Sequence, residues 1–166
     1  LAVLLAQYND VVILDVDPAR VKKVNNGQST VVDKDIQLFL EQKPLSLIAT
    51  LNMHEAFNEA KFIIVATPTN YDAETNRFDT SSVDTVVEEA LELNKNALLV
   101  IKSTIPVGHT NYLRSKLESD RIIFSPEFLR EGSALRDNLF PSRIIVGSEC
   151  SLAQQFADLL KDGAEK

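Results

Sequence analysis

Short apolar runs alternate along the chain with longer segments in which apolar residues recur at helical spacing. The runs are rich in β-branched residues and bounded by polar ones, which is typical of strands buried on both faces of a parallel sheet. A weaker run of the same kind lies at residues 46–50. The predicted strands are Val11–Leu14, Phe62–Val65, residues 97–101, Ile122–Phe124 and residues 144–146.

The segments between these runs are predicted to be helices. Over residues 82–93, for example, Val83 and Val87 fall on one apolar stripe. Asp17 precedes Pro18, and a proline is favoured in the first turn of a helix. The other predicted helices are Pro18–Asn25 and residues 33–42, 107–117 and 152–160. Strands that alternate with helices predict an α/β domain with a doubly wound, mostly parallel sheet.

One connection differs from the others in length. Residues 70–81 are polar and contain the turn-like stretch Asp72-Ala73-Glu74-Thr75-Asn76. Because most connections in α/β domains are shorter, we predict that this segment is a functional loop.

The composition is that of a folded globular protein, with 45% hydrophobic and 25% charged residues. A chain of 166 residues predicts one domain, spanning 1–166. The formal net charge of −7 repels phosphate backbones, so nucleic acid is not an expected partner. No apolar run reaches the roughly 20 residues needed to span a bilayer, and no signal-peptide pattern opens the chain.

The single cysteine, Cys150, excludes an internal disulfide framework and favours a reducing, cytoplasmic location. The chain opens at Leu1 with six apolar residues and no helix cap. We therefore expect that the N-terminus is truncated and that residues 1–7 are the remainder of a first helix.

Polar residues follow four of the predicted strands. Ligands bind outside the carboxyl ends of the strands in an open parallel sheet, so we expect these hydroxyls and carboxylates to gather at one edge. The alternative is that each of them caps the helix that follows. The four groups are Asp15; Thr67, Thr69 and Asn70; Lys102, Ser103 and Thr104; and Ser125 and Glu127.

Asp15 is the most informative of these residues. An acidic residue at the end of the second strand of a Rossmann unit hydrogen-bonds the adenosine ribose of NAD and repels the 2′-phosphate of NADP. Arg20 could instead pair with a 2′-phosphate, but Asp15 is better placed, so NAD is the predicted cofactor. The Gly-x-Gly-x-x-Gly turn, expected about 20 residues upstream, is absent from the sequence. We expect a Rossmann-like domain that lacks its first strand and its glycine-rich loop.

Several motifs stand in a fixed order along the chain. They are Val11-Val12-Ile13-Leu14-Asp15-Val16-Asp17, Ala66-Thr67-Pro68-Thr69-Asn70, Lys102-Ser103-Thr104-Ile105-Pro106-Val107-Gly108, Ser125-Pro126-Glu127-Phe128-Leu129-Arg130-Glu131-Gly132 and Pro141-Ser142-Arg143-Ile144-Ile145-Val146-Gly147. Together they resemble the N-terminal NAD-binding domain of the UDP-glucose 6-dehydrogenase family, within the UDP-glucose/GDP-mannose dehydrogenase superfamily. The resemblance covers essentially the whole chain, and the block that begins at Ser125 is highly specific.

The resemblance implies an NAD-dependent oxidation of UDP-glucose to UDP-glucuronate in two hydride transfers, for the synthesis of polysaccharide. A cysteine captures the intermediate aldehyde, and water then releases the acid from a thioester. UDP-N-acetylmannosamine and GDP-mannose dehydrogenases share this plan and remain alternatives, as does a stand-alone NAD-binding module. The family's substrate domain is absent from the chain, so the fragment alone is expected to be inactive. It is also expected to bind NAD poorly, because the missing glycine-rich loop supplies the contacts to the pyrophosphate. A homodimer is expected for the full-length protein.

The resemblance also implies roles for individual residues. Asp15, with Arg20 nearby, would hold the adenosine ribose, and Thr69 would contact the cofactor. Thr104 would contact the cofactor and order a water near the reacting carbon. Glu127 would act as acid and base in thioester hydrolysis. Residues along the substrate would be Glu127, Phe128, Leu129, Arg130 and Glu131, and Glu131 would also approach the nicotinamide.

Cys150 does not match the family's catalytic cysteine motif, which belongs to the absent domain together with the catalytic lysine, asparagine and aspartate. A small cysteine is commonly a packing residue, and that is the role we predict for Cys150. His54 and His109 have no spacing that indicates a metal site or a catalytic triad, so no metal is expected.

Overall fold

The computed structural model describes residues 1–74, 76–130 and 132–165. The helices are α1 (Ala2–Leu5), α2 (Pro18–Asn25), α3 (Lys34–Gln42), α4 (Met53–Phe57), α5 (Ser81–Leu93), α6 (His109–Lys116), α7 (Ala134–Leu139) and α8 (Ser151–Gly163). The strands are β1 (Val11–Leu14), β2 (Leu47–Thr50), β3 (Phe62–Val65), β4 (Asn70–Asp72), β5 (Arg77–Asp79), β6 (Leu98–Ile101) and β7 (Ile122–Phe124). The chain forms two compact units: Leu1–Ala56, Phe128–Ile144 and Ala157–Lys166 make the first, and Phe57–Glu127 with Ile145–Phe156 makes the second.

The first unit is built on a parallel pair of strands, β1 and β2, in which Val11 lies opposite Leu47 and Leu14 opposite Thr50. Helix α2 crosses between them. It begins after Asp17, whose side chain accepts a hydrogen bond from the Ala19 N–H, and it has Pro18 in its first turn. At the end of the helix, the amide of Asn25 donates to the Ala49 carbonyl (2.9 Å) and accepts from the Ala49 N–H (2.7 Å). This pair of bonds attaches the helix to the strand by the pattern that a neighbouring strand would use.

The core of the first unit joins the start of the chain to a much later segment. Val3 and Leu4 of α1 are buried against Leu135 and Leu139 of α7. Partly buried apolar residues surround this cluster: Leu1, Ile36, Phe39, Leu40, Leu45 and Leu47. The opening apolar residues therefore form a helix, as predicted, and bury it against the helices of their own unit.

The second unit contains a three-stranded parallel sheet in the order β3, β6, β7. Strand β6 is central and fully buried along its length. Val83, Val87 and Ala90 of α5 are each 0% exposed, which confirms the apolar stripe predicted for this helix. At the end of α5 the buried amide of Asn94 donates to the carbonyls of Phe57 (2.7 Å) and Ala60 (2.9 Å). The α/β class and the parallel pairing of the strands are confirmed.

The strand predicted at residues 144–146 is wrong, because these residues form no regular element. The segment is nevertheless attached to β7, since the Gly147 N–H donates to the Phe124 carbonyl at 2.8 Å and the Ser125 hydroxyl donates to the Ile145 carbonyl at 2.8 Å. A single backbone bond does not make a ladder. Gly147 is needed at this contact, since a Cβ here would lie 2.9 Å from the Phe124 oxygen.

The connection at residues 70–81 contains an antiparallel hairpin, in which β4 pairs with β5. Tyr71 and Phe78 lie opposite each other with ring centroids 5.1 Å apart, and the Tyr71 hydroxyl bonds the Asn76 side chain at 2.9 Å. The segment therefore has structure of its own that the sequence analysis did not predict.

Candidate functional site

A cavity of about 430 Å³ lies in the second unit at the carboxyl ends of β3, β6 and β7. Three of the four polar groups predicted to gather at a sheet edge meet here. The lining residues are Ala66, Thr67, Pro68, Thr69, Lys102, Ser103, Thr104, Ile105, Phe124, Pro126 and Glu127. The position agrees with the general rule that open parallel sheets bind ligands beyond the ends of their strands.

Hydrogen bonds between the strand ends hold the walls of this cavity. The Lys102 N–H continues the ladder to the Val65 carbonyl at 2.8 Å, and the buried Ser103 hydroxyl donates to the Thr67 carbonyl at 2.6 Å. From α5, the Ser82 hydroxyl donates to the Pro68 carbonyl at 3.0 Å. The backbone around Thr67 is thus fixed from two sides.

Thr69, Thr104 and Glu127, which the sequence analysis assigned to cofactor and catalysis, all line this cavity. Thr104 and Glu127 are exposed and Thr69 is partly buried, so solvent reaches all three residues. A hydroxyl and a carboxylate on one cavity can orient a water molecule and accept its proton.

Lys102 also lines the cavity but was given no role from the sequence. The residue is 8% exposed, and its ammonium donates to the Ser125 carbonyl at 3.0 Å. Burial lowers the pKa of Lys102, and the negative charge of Glu127 raises this pKa in part. The sequence signal was a lysine placed directly after a fully buried strand.

Asp15 and Arg20 lie together in the first unit, beyond the end of β1. One oxygen of Asp15 accepts the Asp17 N–H at 2.9 Å, and the other lies 3.6 Å from Arg20. Arg20 is also 3.8 Å from the Asp17 carboxylate. Two carboxylates thus offset its positive charge, which weakens its attraction for a 2′-phosphate.

The predicted substrate residues Phe128, Leu129 and Arg130 belong to the first unit. The guanidinium of Arg143 lies over the Phe128 ring, 4.2 Å from its centroid. Arg130 forms a two-pronged salt bridge with Asp137 at 2.6 Å and 3.1 Å. Hydrogen bonds from Arg130 lower the pKa of Asp137 to about 2. Glu131, the remaining predicted substrate and cofactor residue, lies outside the described residues.

Cys150 is exposed rather than buried, so the packing role predicted for it is wrong. It directly precedes α8, and a hydrogen bond with the Ser148 side chain is the largest of the effects that lower the pKa of the Cys150 thiol. The described residues contain no group of three His, Cys, Asp or Glu side chains placed to hold a metal ion. Within the same residues, every helix is too short or too polar to cross a lipid bilayer.

Comparison with known protein families gives a match over residues 1–161 to the NAD-binding domain of the UDP-glucose/GDP-mannose dehydrogenase family. The chain belongs to this family. The match identifies it as the family's NAD-binding domain, in agreement with the cofactor predicted from Asp15.

Several relatives carry the name UDP-glucose 6-dehydrogenase, among them one from Streptococcus pneumoniae and one from Campylobacter jejuni. The protein from Streptococcus pneumoniae is 49% identical over 172 residues, and the match covers 100% of this chain and 44% of the relative. The protein from Campylobacter jejuni is 44% identical and is matched over 95% of this chain and 40% of its own length. The chain thus spans less than half the length of either relative.

Solved structures of dehydrogenases share the fold. A UDP-glucose dehydrogenase from Pyrobaculum islandicum has a TM-score of 0.81 and 26% identity, over 99% of this chain and 42% of its own. A GDP-mannose dehydrogenase from Pseudomonas aeruginosa has a TM-score of 0.83 and 21% identity, over 98% of this chain and 41% of its own. The Rossmann-like fold predicted from the sequence is confirmed.

Proposed function

We propose that this chain supplies the NAD-binding part of a UDP-glucose 6-dehydrogenase, which oxidises UDP-glucose to UDP-glucuronate. The observation that carries the proposal is the cavity at the ends of β3, β6 and β7, where Thr104 and Glu127 line one space. The named relatives at 49% and 44% identity support UDP-glucose as the substrate.

The described residues fit one end of NAD well. The Asp15 carboxylate lies beyond the end of β1 with its side chain 25% exposed, and such a carboxylate accepts hydrogen bonds from ribose hydroxyls. NAD, when bound, takes up the hydride that leaves the sugar carbon. The glycine-rich turn that would contact the pyrophosphate is absent from the sequence. We therefore propose that residues 1–166 form an NAD-binding domain that binds NAD poorly on its own.

The residues that line the cavity are proposed to contact the cofactor, order a water molecule and transfer a proton. Thr69 and Thr104 offer hydroxyls to the cofactor, and Thr104 also orders a water molecule beside the reacting carbon. Glu127 accepts a proton from that water and returns a proton to the leaving group. Phe128, Leu129, Arg130 and Glu131 continue from Glu127 along the substrate.

The composition of the chain supports a proposal for its cellular location and its class of partner. A single cysteine supports a cytoplasmic location, and an acidic net charge of −7 makes nucleic acid an unsuitable partner. We further propose that the full-length protein is a homodimer.

The test is NADH formation by the full-length protein with UDP-glucose, GDP-mannose and UDP-N-acetylmannosamine, each alone. UDP-glucose should give the largest kcat/KM and two NADH for each sugar consumed. A larger kcat/KM for GDP-mannose or UDP-N-acetylmannosamine would replace the substrate and keep the enzyme class. NAD binding without turnover of any nucleotide sugar would favour a stand-alone NAD-binding module. Glu127→Gln is the control, since it should lower kcat while NAD still binds.

A further inference from the structure

The buried lysine beside the cavity has an unusual position for a charged side chain. Lys102 follows β6 and is 8% exposed, whereas lysines are almost never fully buried unless they are paired. Removing an ammonium group from water costs free energy that a hydrogen bond or an opposite charge must offset. Both are present here, and both belong to the segment that begins at Ser125.

The hydrogen bond fixes the point at which the backbone leaves β7. The Lys102 ammonium donates to the Ser125 carbonyl at 3.0 Å, while the Ser125 N–H donates to the Ile101 carbonyl at 2.9 Å. The Ser125 hydroxyl donates to the Ile145 carbonyl at 2.8 Å, and the residue is 1% exposed. Pro126 follows and restricts the backbone further, because its ring fixes φ. Glu127 is the next residue, so its place on the cavity depends on this anchor.

The charges of the two side chains reinforce the same geometry. Burial lowers the pKa of Lys102, and the negative charge of Glu127, two residues after the Ser125 anchor, raises this pKa in part. An apolar side chain of similar length would fill the space and remove both the hydrogen bond and this attraction. An arginine would keep a positive charge and hydrogen-bond donors.

We propose that Lys102 is a positioning residue, which anchors the Ser125 carbonyl and so holds the Glu127 carboxylate in its place on the cavity. The inference rests on the proposed function, since it makes Lys102 the residue that positions Glu127, the proposed acid and base. Lys102 acts through the backbone and charge of its neighbours and is given no contact with the sugar.

The test compares Lys102→Met, Lys102→Arg and wild type in the full-length protein. A displacement of about 1 Å at a reacting group can cost about 100-fold in rate. We expect Lys102→Met to lower kcat by between about 10-fold and 100-fold. The KM values for NAD and UDP-glucose should stay within about 3-fold, because Lys102 itself is given no contact with either ligand. Lys102→Arg should recover most of kcat.

A lysine that only fills space would give another pattern. Lys102→Met would then keep the kcat of wild type. Lys102→Arg would have a kcat no higher than that of Lys102→Met, because arginine is larger than the lysine it replaces. Either result overturns the proposal. Crystal structures of the three proteins give a readout that does not depend on activity. The Glu127 carboxylate should move by about 1 Å or more in Lys102→Met and stay in place in Lys102→Arg. An unmoved Glu127 in Lys102→Met also overturns the proposal. If wild type oxidises no nucleotide sugar, the proposed function fails, and the crystal structures still decide the role of Lys102.

Discussion

The carboxylate of Asp33 accepts a hydrogen bond from the Leu135 N–H at 3.2 Å, across 102 positions of sequence. The same carboxylate caps α3 by accepting from the Asp35 N–H at 3.0 Å and the Ile36 N–H at 3.3 Å. Ser133, at the start of α7, makes no side-chain cap of its own. One buried side chain therefore serves the N-termini of two helices, α3 and α7.

Asp33→Ala should accordingly destabilise the protein more than the loss of an ordinary helix cap. An N-cap contributes about 1 kcal/mol, and the buried Leu135 N–H left without its acceptor adds about 1–3 kcal/mol. We expect urea unfolding to show a loss of about 2–4 kcal/mol on this basis. Asp35→Ala, in the exposed first turn of α3, is the control. Equal effects of the two changes would contradict the double role of Asp33.

Gly147→Ala tests the close approach of the segment after residue 144 to β7. The added Cβ would lie 2.9 Å from the backbone oxygen of Phe124, which cannot move without disturbing the strand. We expect a loss of about 1–3 kcal/mol in the free energy of unfolding, as for other overpacked sites. At Gly163 the added Cβ would meet the Leu4 side chain at 2.9 Å. Because Leu4 is 1% exposed and has little room to move, Gly163→Ala should destabilise the protein by a similar amount in the same unfolding measurement.

Asn94→Ala removes an amide that satisfies several buried backbone groups at once. Its nitrogen donates to the Phe57 and Ala60 carbonyls, and its oxygen accepts from the Asn96 and Ala97 N–H groups. We expect a loss of about 2–4 kcal/mol in stability, measured by urea unfolding, because each buried group left unpaired carries its own cost. Asn94→Asp should also destabilise, since it keeps the acceptor and loses the donor. A stable Asn94→Asp protein would show that the acceptor side carries the effect.

The salt bridge between Arg130 and Asp137 predicts a pH dependence of stability. The pKa of the Asp137 carboxyl in the folded state lies at about 2, below the ordinary value of 3.8. A carboxyl with a lowered folded-state pKa stabilises the fold above its unfolded pKa, and this contribution is lost as the pH falls toward the folded value. The difference in unfolding midpoint between wild type and Asp137→Asn should therefore be largest above about pH 4 and shrink toward about pH 2. A constant difference over this range would contradict the role of the salt bridge.

Asp15→Ala tests the cofactor end of the proposal in the full-length protein. A hydrogen bond to a charged group contributes about 1.5–3 kcal/mol, so the Kd for NAD should rise by between about 10-fold and 100-fold. Calorimetric titration of NAD measures this directly. Asp10→Asn, at the other end of β1, should leave the Kd unchanged. An unchanged Kd in Asp15→Ala would remove Asp15 from the cofactor site.

Elements with strong local sequence signals were predictable from the sequence. Strands β1, β3 and β7 and helix α2 have the predicted bounds, because β-branched runs and an Asp-Pro start are strong local signals. Residues 144–146 gave the same apolar signal, but the backbone bond from this segment to β7 is made by the following residue, Gly147. The residue composition of a segment does not determine how many backbone hydrogen bonds it forms with a neighbouring strand.

The candidate site was predictable where it depended on the ends of strands. Thr69, Thr104 and Glu127 meet because parallel strands carry the residues after them to one edge. Lys102 and Asp33 were missed as structural residues for a different reason. Each owes its role to a partner more than 20 positions away, Ser125 for Lys102 and Leu135 for Asp33. No periodicity or local motif carries information about such a partner.

The discontinuous core of the first unit has a consequence for synthesis on the ribosome. Leu4 is buried with Leu135, so the core of the first unit is complete only after α7 has been synthesised. Strands β3, β6 and β7 come from one continuous stretch, Phe57–Glu127, and can pair as soon as that stretch has emerged. Domains ordinarily fold from the N-terminus first during translation. Here the sheet of the second unit can form before α7 completes the core of the first unit.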